Sequence, residues 1–506
     1  MLAIWSAIGE NWGTVFLDRE HLMTLGRADR QGNLLDDVEL FCDQALDDRS
    51  IYTFLHRERD RLFPDEDFAD LFDEHGRRSV PPSVVATVMV LQRLEGLSDR
   101  EAVERFCFDA RWRYAAGVGG YDTGAWTEFA HTVLVDMRAR LSRSERPNRI
   151  FEIGLEAAQQ AGLVGRRRVL DSTPLYDAVA TMDSVTLIRS AIRGLLKAAD
   201  ETLEAELRAG LRSGDDYASA AKPQIDWDDE EQRQQLIDSR ANDAWRCLAA
   251  LDGRGLDPLL IEAARLLATV VGQDLDMGED GIFRVARKVA KDRVISTVDP
   301  DARHGHKTAA RGFDGYKGHV AVDPDSEIIT ATAVTPGNAS DAAVAEDLIS
   351  DLLEDDRSDD ADDTAAGEEF DEESAQDPGA DTPVVYGDNA YGTGAFQERL
   401  EDADIESRCK TQRPTIPGGL FTKDRFEVNL DDDTVTCPAA VTVNVRRHAD
   451  GGGMAYFGHV CATCRLREKC TTATAGRTIG ISAHEAAIAR ARRRQADAGW
   501  QDDYRA

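Results

Sequence analysis

Apolar residues recur at helical spacing in an early stretch of the chain and predict two helices joined by a short turn. Pro82 suits the first position of one helix, and Ser98 with Glu101 forms the S-x-x-E capping box that opens the next. The pattern predicts an all-helical domain over residues 61–150, after an N-terminal extension over 1–60. Helical packing explains this pattern, and a helix-turn-helix that contacts DNA is the alternative.

The hydrophobic pattern changes after residue 165, where short apolar runs predict β-strands. One run ends on Asp171 and another, Val-Val-Tyr-Gly, ends on Asp388. A long helical stretch over 183–290 separates the first strand from the others, so the region 165–506 is predicted to be an α/β domain with a helical insert. Ligands bind at the carboxyl ends of strands in open α/β sheets, which suggests a shared metal site at the two aspartates. Two unrelated turn or cap aspartates explain the spacing equally well.

Charge narrows the range of functions. The formal net charge is -34, and only part of it comes from the low-complexity segment 355–383, which is predicted to be a disordered acidic loop. An acidic surface of this kind suits a salt-rich, halophilic cytoplasm and argues against DNA binding unless local basic patches exist. The sequence has neither an apolar run long enough to span a membrane nor a recognisable secretion signal, so we expect a cytoplasmic protein with no membrane partner.

Four of the eight cysteines cluster late in the chain and predict a metal site. Cys437, Cys461, Cys464 and Cys470 follow the spacing C-x23-C-x2-C-x5-C. Four thiolates can surround Zn2+ in a closed structural site, so residues 430–478 are predicted to form a small zinc-ribbon-like insert. A set of reduced cysteines without metal is the alternative.

Two groups of basic residues are candidates for contact with DNA phosphates. Lys307, Arg311 and Lys317 fall beside a predicted strand hairpin. The second group lies on a predicted late helix and comprises Arg490, Arg492, Arg493 and Arg494. Phosphate contacts fix a protein on DNA without reading its sequence. A solvated helix face is the alternative for the second group.

Several long blocks of sequence resemble the DDE transposases of prokaryotic insertion sequences. They include LSDREAVERFCFDARWRYAAGV, RVLDSTPL, DPDARHGHKTAARGFDGYKGHVAVDPDSEIITATAVTPGNASD and VVYGDNAYGTGAFQERL, in that order. The resemblance is closest to the group with an N-terminal helical domain and a late cysteine-rich insert. It covers most of residues 60–506, and its weakest parts are the helical insert and the acidic loop.

The resemblance implies a ribonuclease-H-like catalytic domain over 165–506 that cuts and joins DNA at the ends of its own element. Asp171 and Asp388 match the first two carboxylates of the family, which hold Mg2+ or Mn2+. The implied partners are the terminal inverted repeats and the target DNA. Because two element ends must be held together, at least a homodimer is also implied.

The third carboxylate of the family is the point where the sequence departs from the resemblance. The family's Glu would fall a few residues beyond Ala506, so the chain is expected to be truncated before it. Glu485 is the nearest helical substitute, although a capping or solvated Glu is the simpler interpretation. The alternatives to an active transposase are therefore an inactive DNA-binding copy that inhibits transposition, and a metal-dependent nuclease of the same superfamily.

Overall fold

The fold is described from a computed structural model of the chain. It describes residues 37–505 except 74, 77, 120–127, 177, 178, 180, 287–289, 309, 310 and 355–381. The predicted acidic loop therefore lies almost entirely outside the described residues. The chain divides into two compact units, one ending at Val164 and the other starting at Gly165.

The first unit is helical throughout its described part. Its helices are α1 (Asp37–Ala45), α2 (Ile51–Leu62), α3 (Pro82–Glu95), α4 (Asp99–Phe108), α5 (Ala110–Ala115), α6 (Thr132–Leu141) and α7 (Arg149–Gln160). Leu55 and Leu62 of α2 are buried in the same core as Phe68, Phe106 and Trp112. The predicted boundary at residue 60 falls inside α2, and that helix supplies apolar side chains to this core.

The turn between α3 and α4 forms as the sequence predicts. Pro82 occupies the first turn of α3, and Gly96 ends the helix in the left-handed conformation at φ 67°. The side chain of Ser98 accepts the backbone N–H of Glu101, whose carboxylate in turn accepts the backbone N–H of Ser98. This reciprocal capping box satisfies donors that the first turn of α4 would otherwise leave unpaired.

A six-stranded sheet organises the second unit. Its strands are β1 (Arg167–Leu175), β4 (Arg303–Thr308), β5 (Arg311–Val322), β6 (Ile329–Pro336), β7 (Val384–Gly387) and β8 (Glu406–Cys409). Strands β1, β7 and β8 are parallel, whereas β5 pairs antiparallel with β1, β4 and β6. The strand predicted to end at Asp171 continues to Leu175, because β5 pairs with it over its whole second half.

Helices cover the sheet and bury its apolar side chains. The helices on one face are α12 (Ala345–Leu348), α13 (Ser350–Glu354) and α14 (Gly394–Asp402). Helix α16 (Glu485–Gln495) contacts α14, and α17 (Ala498–Arg505) contacts the other face through Tyr386 and Arg408. Leu170 and Val385, from the adjacent strands β1 and β7, share a core with Leu348, Phe396 and Leu400. This packing fixes the middle of β1, which carries Asp171, and the end of β7, which Asp388 follows.

The stretch predicted as a helical insert forms a body with its own core. It contains α8 (Ser184–Ala198), α9 (Glu201–Gly210), α10 (Glu230–Leu251), α11 (Pro258–Asp274) and the short hairpin of β2 (Leu275–Met277) and β3 (Phe283–Val285). Leu187, Ile188 and Leu195 of α8 are buried against Leu267 and Val270 of α11. Helical periodicity in the sequence indicates the helices of this body but not its hairpin.

The cysteine-rich region forms a five-stranded antiparallel sheet. The structure does not show the predicted zinc ribbon in this region. Its elements are β9 (Glu427–Asn429), β10 (Thr434–Thr436), β11 (Thr442–Arg447), β12 (Gly453–Tyr456), α15 (Arg467–Cys470) and β13 (Thr478–Ile481). Phe426, Phe457 and Ile479 give this sheet an apolar core. Among all the described helices of the chain, none is long and apolar enough to cross a membrane.

Candidate active site

The two predicted catalytic aspartates belong to neighbouring parallel strands, with Asp171 inside β1 and Asp388 directly after the end of β7. Residues of β1 and β7 pair in register up to Val169 and Tyr386. Asp171 and Asp388 each follow this last pair by two residues, and the charges of both act on Tyr391. Because adjacent strands run about 4.8 Å apart, their two carboxylates can approach one ligand from the same sheet edge.

Both aspartates also project from the same face of the sheet. On this face Arg167, four residues before Asp171, donates a 2.6 Å hydrogen bond to the hydroxyl of Tyr386, which lies two residues before Asp388. Side chains alternate along a strand, so residues two or four positions apart point to the same face. Asp171 therefore shares the face of Arg167, and Asp388 stands in the same relation to Tyr386. Asp503 of α17 contacts Tyr386 and Arg408, which places α17 on this face as well.

The two carboxylates are exposed and available to a ligand. Asp171 accepts the backbone N–H of Ser172 at 2.8 Å, and Asp388 accepts that of Ala390 at 2.8 Å. Neither forms an ion pair with another described residue, although ion pairs are frequent elsewhere in the chain. Two exposed carboxylates without cationic partners leave negative charge at this edge that a divalent cation can neutralise.

A buried tyrosine lies behind the aspartates. The hydroxyl of Tyr391 is 3.3 Å from Nδ1 of His319, whose Nε2 is 2.9 Å from the hydroxyl of Thr335. Burial raises the pKa of Tyr391, and the negative charges of Asp341, Asp171 and Asp388 raise it further. Tyr391 therefore stays protonated and can donate a hydrogen bond near all three acids.

Asp341 is a third carboxylate near the site, and the sequence reasoning missed it. Ser172 donates a 2.7 Å hydrogen bond to Asp341, and Lys317 forms an ion pair with the same carboxylate. Lys317 also donates to the backbone oxygen of Ala339 at 2.5 Å. Asp341 follows Ser340, and in the sequence it resembles an ordinary residue in the first turn of a helix.

Glu485, considered as a substitute for the missing Glu, is engaged in structural contacts. It is 7% exposed, pairs with Lys423 and accepts the backbone N–H of Ser482 at 3.0 Å. These contacts cap the start of α16 and join it to the segment before β9. They match the simpler interpretation of this residue as a capping Glu.

The predicted DNA-contacting residues differ in their surroundings. Lys307 and Arg311 are exposed on β4 and β5, whereas Lys317 is held by Asp341. On α16, Arg490 and Arg494 both pair with Glu401. The other two predicted arginines of α16 have no carboxylate partner among the described residues. Arg492 donates to the backbone oxygen of Gln412 at 3.2 Å, and Arg493 is exposed.

The four clustered cysteines all line one cavity of about 200 Å3. The backbone N–H groups of Leu466 and Arg477 point to Cys464 and Cys461, at 3.4 and 3.5 Å from sulfur. Burial raises the pKa of Cys470, and the three neighbouring cysteines add to this effect. The thiols are thus gathered by the fold, and all eight cysteines of the chain are free of disulfides.

As placed, no group of three or more His, Cys, Asp and Glu side chains in the described part of the chain is arranged to hold a metal ion. This applies to the aspartate pair, where Asp341 is turned toward Lys317 and Ser172. It applies equally to the cysteine cluster. The pair at Asp171 and Asp388 supplies two carboxylate ligands, a number that Mg2+ accepts when water and substrate phosphates complete its shell.

Comparison with protein families decides where the chain belongs. Residues 42–140 match a transposase domain family of otherwise uncharacterised type, residues 283–430 match a transposase DDE domain, and residues 436–506 match a second transposase DDE domain. The chain belongs to the DDE transposases of insertion-sequence type. The resemblance inferred from the sequence is therefore confirmed.

The matches cover the transposase unevenly. Asp388 lies within a matched DDE domain, whereas Asp171 and the helical insert precede it. DDE transposases act on DNA and typically use divalent metal ions, so DNA is the substrate class. Searches of curated proteins and of solved structures gave no match.

Proposed function

We propose that this transposase cuts and joins DNA at the ends of its own insertion sequence by metal-dependent phosphoryl transfer. The observation that carries the proposal is the adjacency of Asp171 and Asp388 on parallel strands, with neither carboxylate engaged in an ion pair among the described residues. The order of strands, with antiparallel β5 beside parallel β1, β7 and β8, supports a ribonuclease-H-like catalytic domain.

Asp171 and Asp388 are the residues that would hold Mg2+ or Mn2+. When bound, such ions activate the attacking oxygen and stabilise the leaving oxygen of an in-line displacement. The protein contributes the two carboxylates at a fixed separation, set by the pairing of β1 with β7. Tyr391 and His319 form a buried hydrogen-bonded pair near them, and the carboxylates themselves accept the backbone N–H groups of Ser172 and Ala390.

The DNA contacts at the site are proposed to come from basic side chains without carboxylate partners. Lys307, Arg311 and Arg493 are exposed and meet this condition among the described residues. Lys317, Arg490 and Arg494 do not, because their charges are already neutralised by Asp341 and Glu401. We expect these paired residues to stabilise the domain, and a homodimer to bring two element ends together.

The test is strand nicking by the purified full chain on DNA carrying the ends of the element, with Mg2+ or Mn2+. Asp171→Asn and Asp388→Asn should each abolish nicking while leaving thermal unfolding and DNA retention unchanged. Asp347→Asn, an exposed acid on α12, is the matched control. DNA retention without nicking by the unmodified chain would support an inhibitory DNA-binding copy. Hydrolysis of many sequences without strand joining would support a nuclease.

We also propose that Cys437, Cys461, Cys464 and Cys470 hold a structural zinc ion. All four line one cavity, and the N–H groups directed at Cys461 and Cys464 are of the kind that stabilise thiolates. Thiolate sulfur is the preferred ligand type for Zn2+ in closed structural sites. Because the thiols are not arranged as a complete ligand set in this structure, the proposal requires side-chain rotation. Elemental analysis of protein purified without added zinc tests it.

A further inference from the structure

A small cavity follows β8 at the sheet edge that carries the two aspartates. Its volume is about 190 Å3, and it is lined by basic, amide and aromatic side chains: Lys410, Arg413, Gln495, Trp500, Gln501, Tyr504 and Arg505. Neither the family matches nor the sequence reasoning assigns a function to Lys410 or Arg413.

The strand register places Lys410 in line with the aspartates. Gly387 of β7 pairs with Cys409 of β8, and Lys410 donates its backbone N–H to the oxygen of Gly387 at 3.0 Å. One residue further, Lys410 therefore lies beside Asp388. Tyr386 and Arg408 also pair across these strands and both contact Asp503, so Asp388 and Lys410 share the face occupied by α17.

The charges of Lys410 and Arg413 are not neutralised by neighbouring acids. Neither side chain has a carboxylate within 4 Å among the described residues, whereas Lys317, Arg490 and Arg494 are paired. Nζ of Lys410 lies 3.7 Å from the ring centroid of Tyr504, which stacks on Trp500 at 5.4 Å and 8°. A cation held over an aromatic ring keeps its full charge and its orientation.

The backbone that carries these cations is held from several sides. Thr411 donates its backbone N–H and its hydroxyl to Gln495 of α16, at 3.0 and 2.9 Å. Gly392 approaches so closely that a Cβ there would clash with the backbone oxygen of Lys410. The loop is therefore preorganised, which lowers the entropic cost of binding a ligand.

We propose that Lys410 and Arg413 bind the DNA backbone next to the phosphate that reaches Asp171 and Asp388. The inference rests on the proposed function, because it takes the substrate to be DNA at that acidic pair. Two ionised carboxylates repel a phosphodiester, and a neighbouring pair of unneutralised cations offsets that repulsion. Phosphate is the group that a Lys and an Arg bind together without regard to base sequence.

The test is the salt dependence of DNA binding by the full chain, measured by fluorescence anisotropy in EDTA with a random duplex of about 30 base pairs. Lys410→Gln and Arg413→Gln should each weaken binding several-fold. Each should also reduce the slope of log K against log salt by about one. Lys410→Arg should restore the slope. Lys197→Gln, an exposed and unpaired position on α8, should leave both quantities unchanged.

Unchanged affinity and slope in both Gln variants, with unmodified protein that binds and nicks DNA, would overturn this inference alone. Failure of the unmodified chain to bind any duplex would overturn it together with the proposed function. Because Arg413 is exposed, its substitution should not disturb folding, and thermal unfolding of each variant verifies this.

Discussion

Ser172 donates a 2.7 Å hydrogen bond to Asp341, although the two residues are 169 positions apart in the chain. Ser172 directly follows Asp171 in β1, and Asp341 also pairs with Lys317 of β5. The bond therefore ties the aspartate-bearing strand to the turn before α12. Because the carboxylate of Asp171 accepts the backbone N–H of Ser172, we expect Asp341 to orient Asp171 through Ser172 without touching the substrate.

Asp341→Asn is expected to lower the rate of nicking about 10–100-fold, the usual cost of losing a residue that orients a metal ligand. The substitution removes the charge that neutralises Lys317 and weakens the bond from Ser172. Nicking rates measured over a range of Mn2+ concentrations should show weaker apparent metal affinity. Asp347→Asn, on the adjacent helix and exposed, should have no such effect. Equal metal dependence for Asp341→Asn and the unmodified chain would contradict an orienting role.

His319 should make the stability of the second unit depend on pH. It is 1% exposed, and burial lowers its pKa from the ordinary value of 6.5; the negative charge of Asp341 opposes this decrease and the positive charge of Lys317 adds to it. Below that ordinary value the unfolded chain binds a proton that the folded chain does not, so stability rises with pH. The full contribution is present above about pH 6.5 and is lost as the pH falls toward the folded pKa.

His319→Gln keeps a polar side chain at this position but cannot titrate. The variant should be less stable at pH 7, because the contacts with Tyr391 and Thr335 are altered. Its stability should nevertheless fall less steeply between pH 6.5 and 5 than that of the unmodified chain. Urea unfolding at several pH values measures both quantities. Parallel pH profiles for the two proteins would be the contrary result.

Local sequence patterns predicted the helices and strands of this chain better than they predicted the order of the strands and the tertiary contacts. The capping box at Ser98 and the apolar run before Asp388 depend only on residues close in sequence, so both could be predicted from the sequence. The pairing of Asp171 with Asp388 was predicted from a general rule about strand ends. The structure pairs β1 with β7, an order that local patterns do not contain, and the shared metal site at the two aspartates stays a prediction.

Asp341 and Lys410 could not be singled out from the sequence for the same reason. Asp341 has the sequence context of a helix-capping segment, and its role depends on the approach of Ser172 and Lys317. Lys410 gains its position from the register of β8 against β7. Lys317, in contrast, looked like an available cation in the sequence, and its ion pair with Asp341 became visible only in three dimensions.

Glu485→Gln should separate stability from chemistry. Glu485 is buried and pairs with Lys423 while accepting the N–H of Ser482. Loss of its charge is expected to cost about 1–3 kcal/mol in the free energy of unfolding, since a hydrogen-bonded charge is lost near Lys423. Nicking by the folded protein should be unchanged. A loss of nicking with unaltered stability would instead favour Glu485 as the third catalytic acid.

Cys464→Ser should remove the proposed zinc ion and loosen the cysteine-rich sheet. If zinc is bound, the unmodified chain should contain about one zinc ion per chain, and a chelator should lower its melting temperature. The variant should melt at the lower temperature with or without chelator, because its ligand set is already incomplete. Cys107→Ser, at a half-buried position in the first unit, should keep its zinc and its response to the chelator.

The apolar core around Phe426, Phe457 and Ile479 makes the outcome of this experiment informative. If that core alone holds the sheet, Cys464→Ser and the unmodified chain should melt together, and the chelator should have no effect on either. A cluster of four thiols around one cavity would then be explained by packing of small apolar side chains. A chelator effect confined to proteins with all four cysteines requires a bound metal ion, because packing does not depend on a chelator.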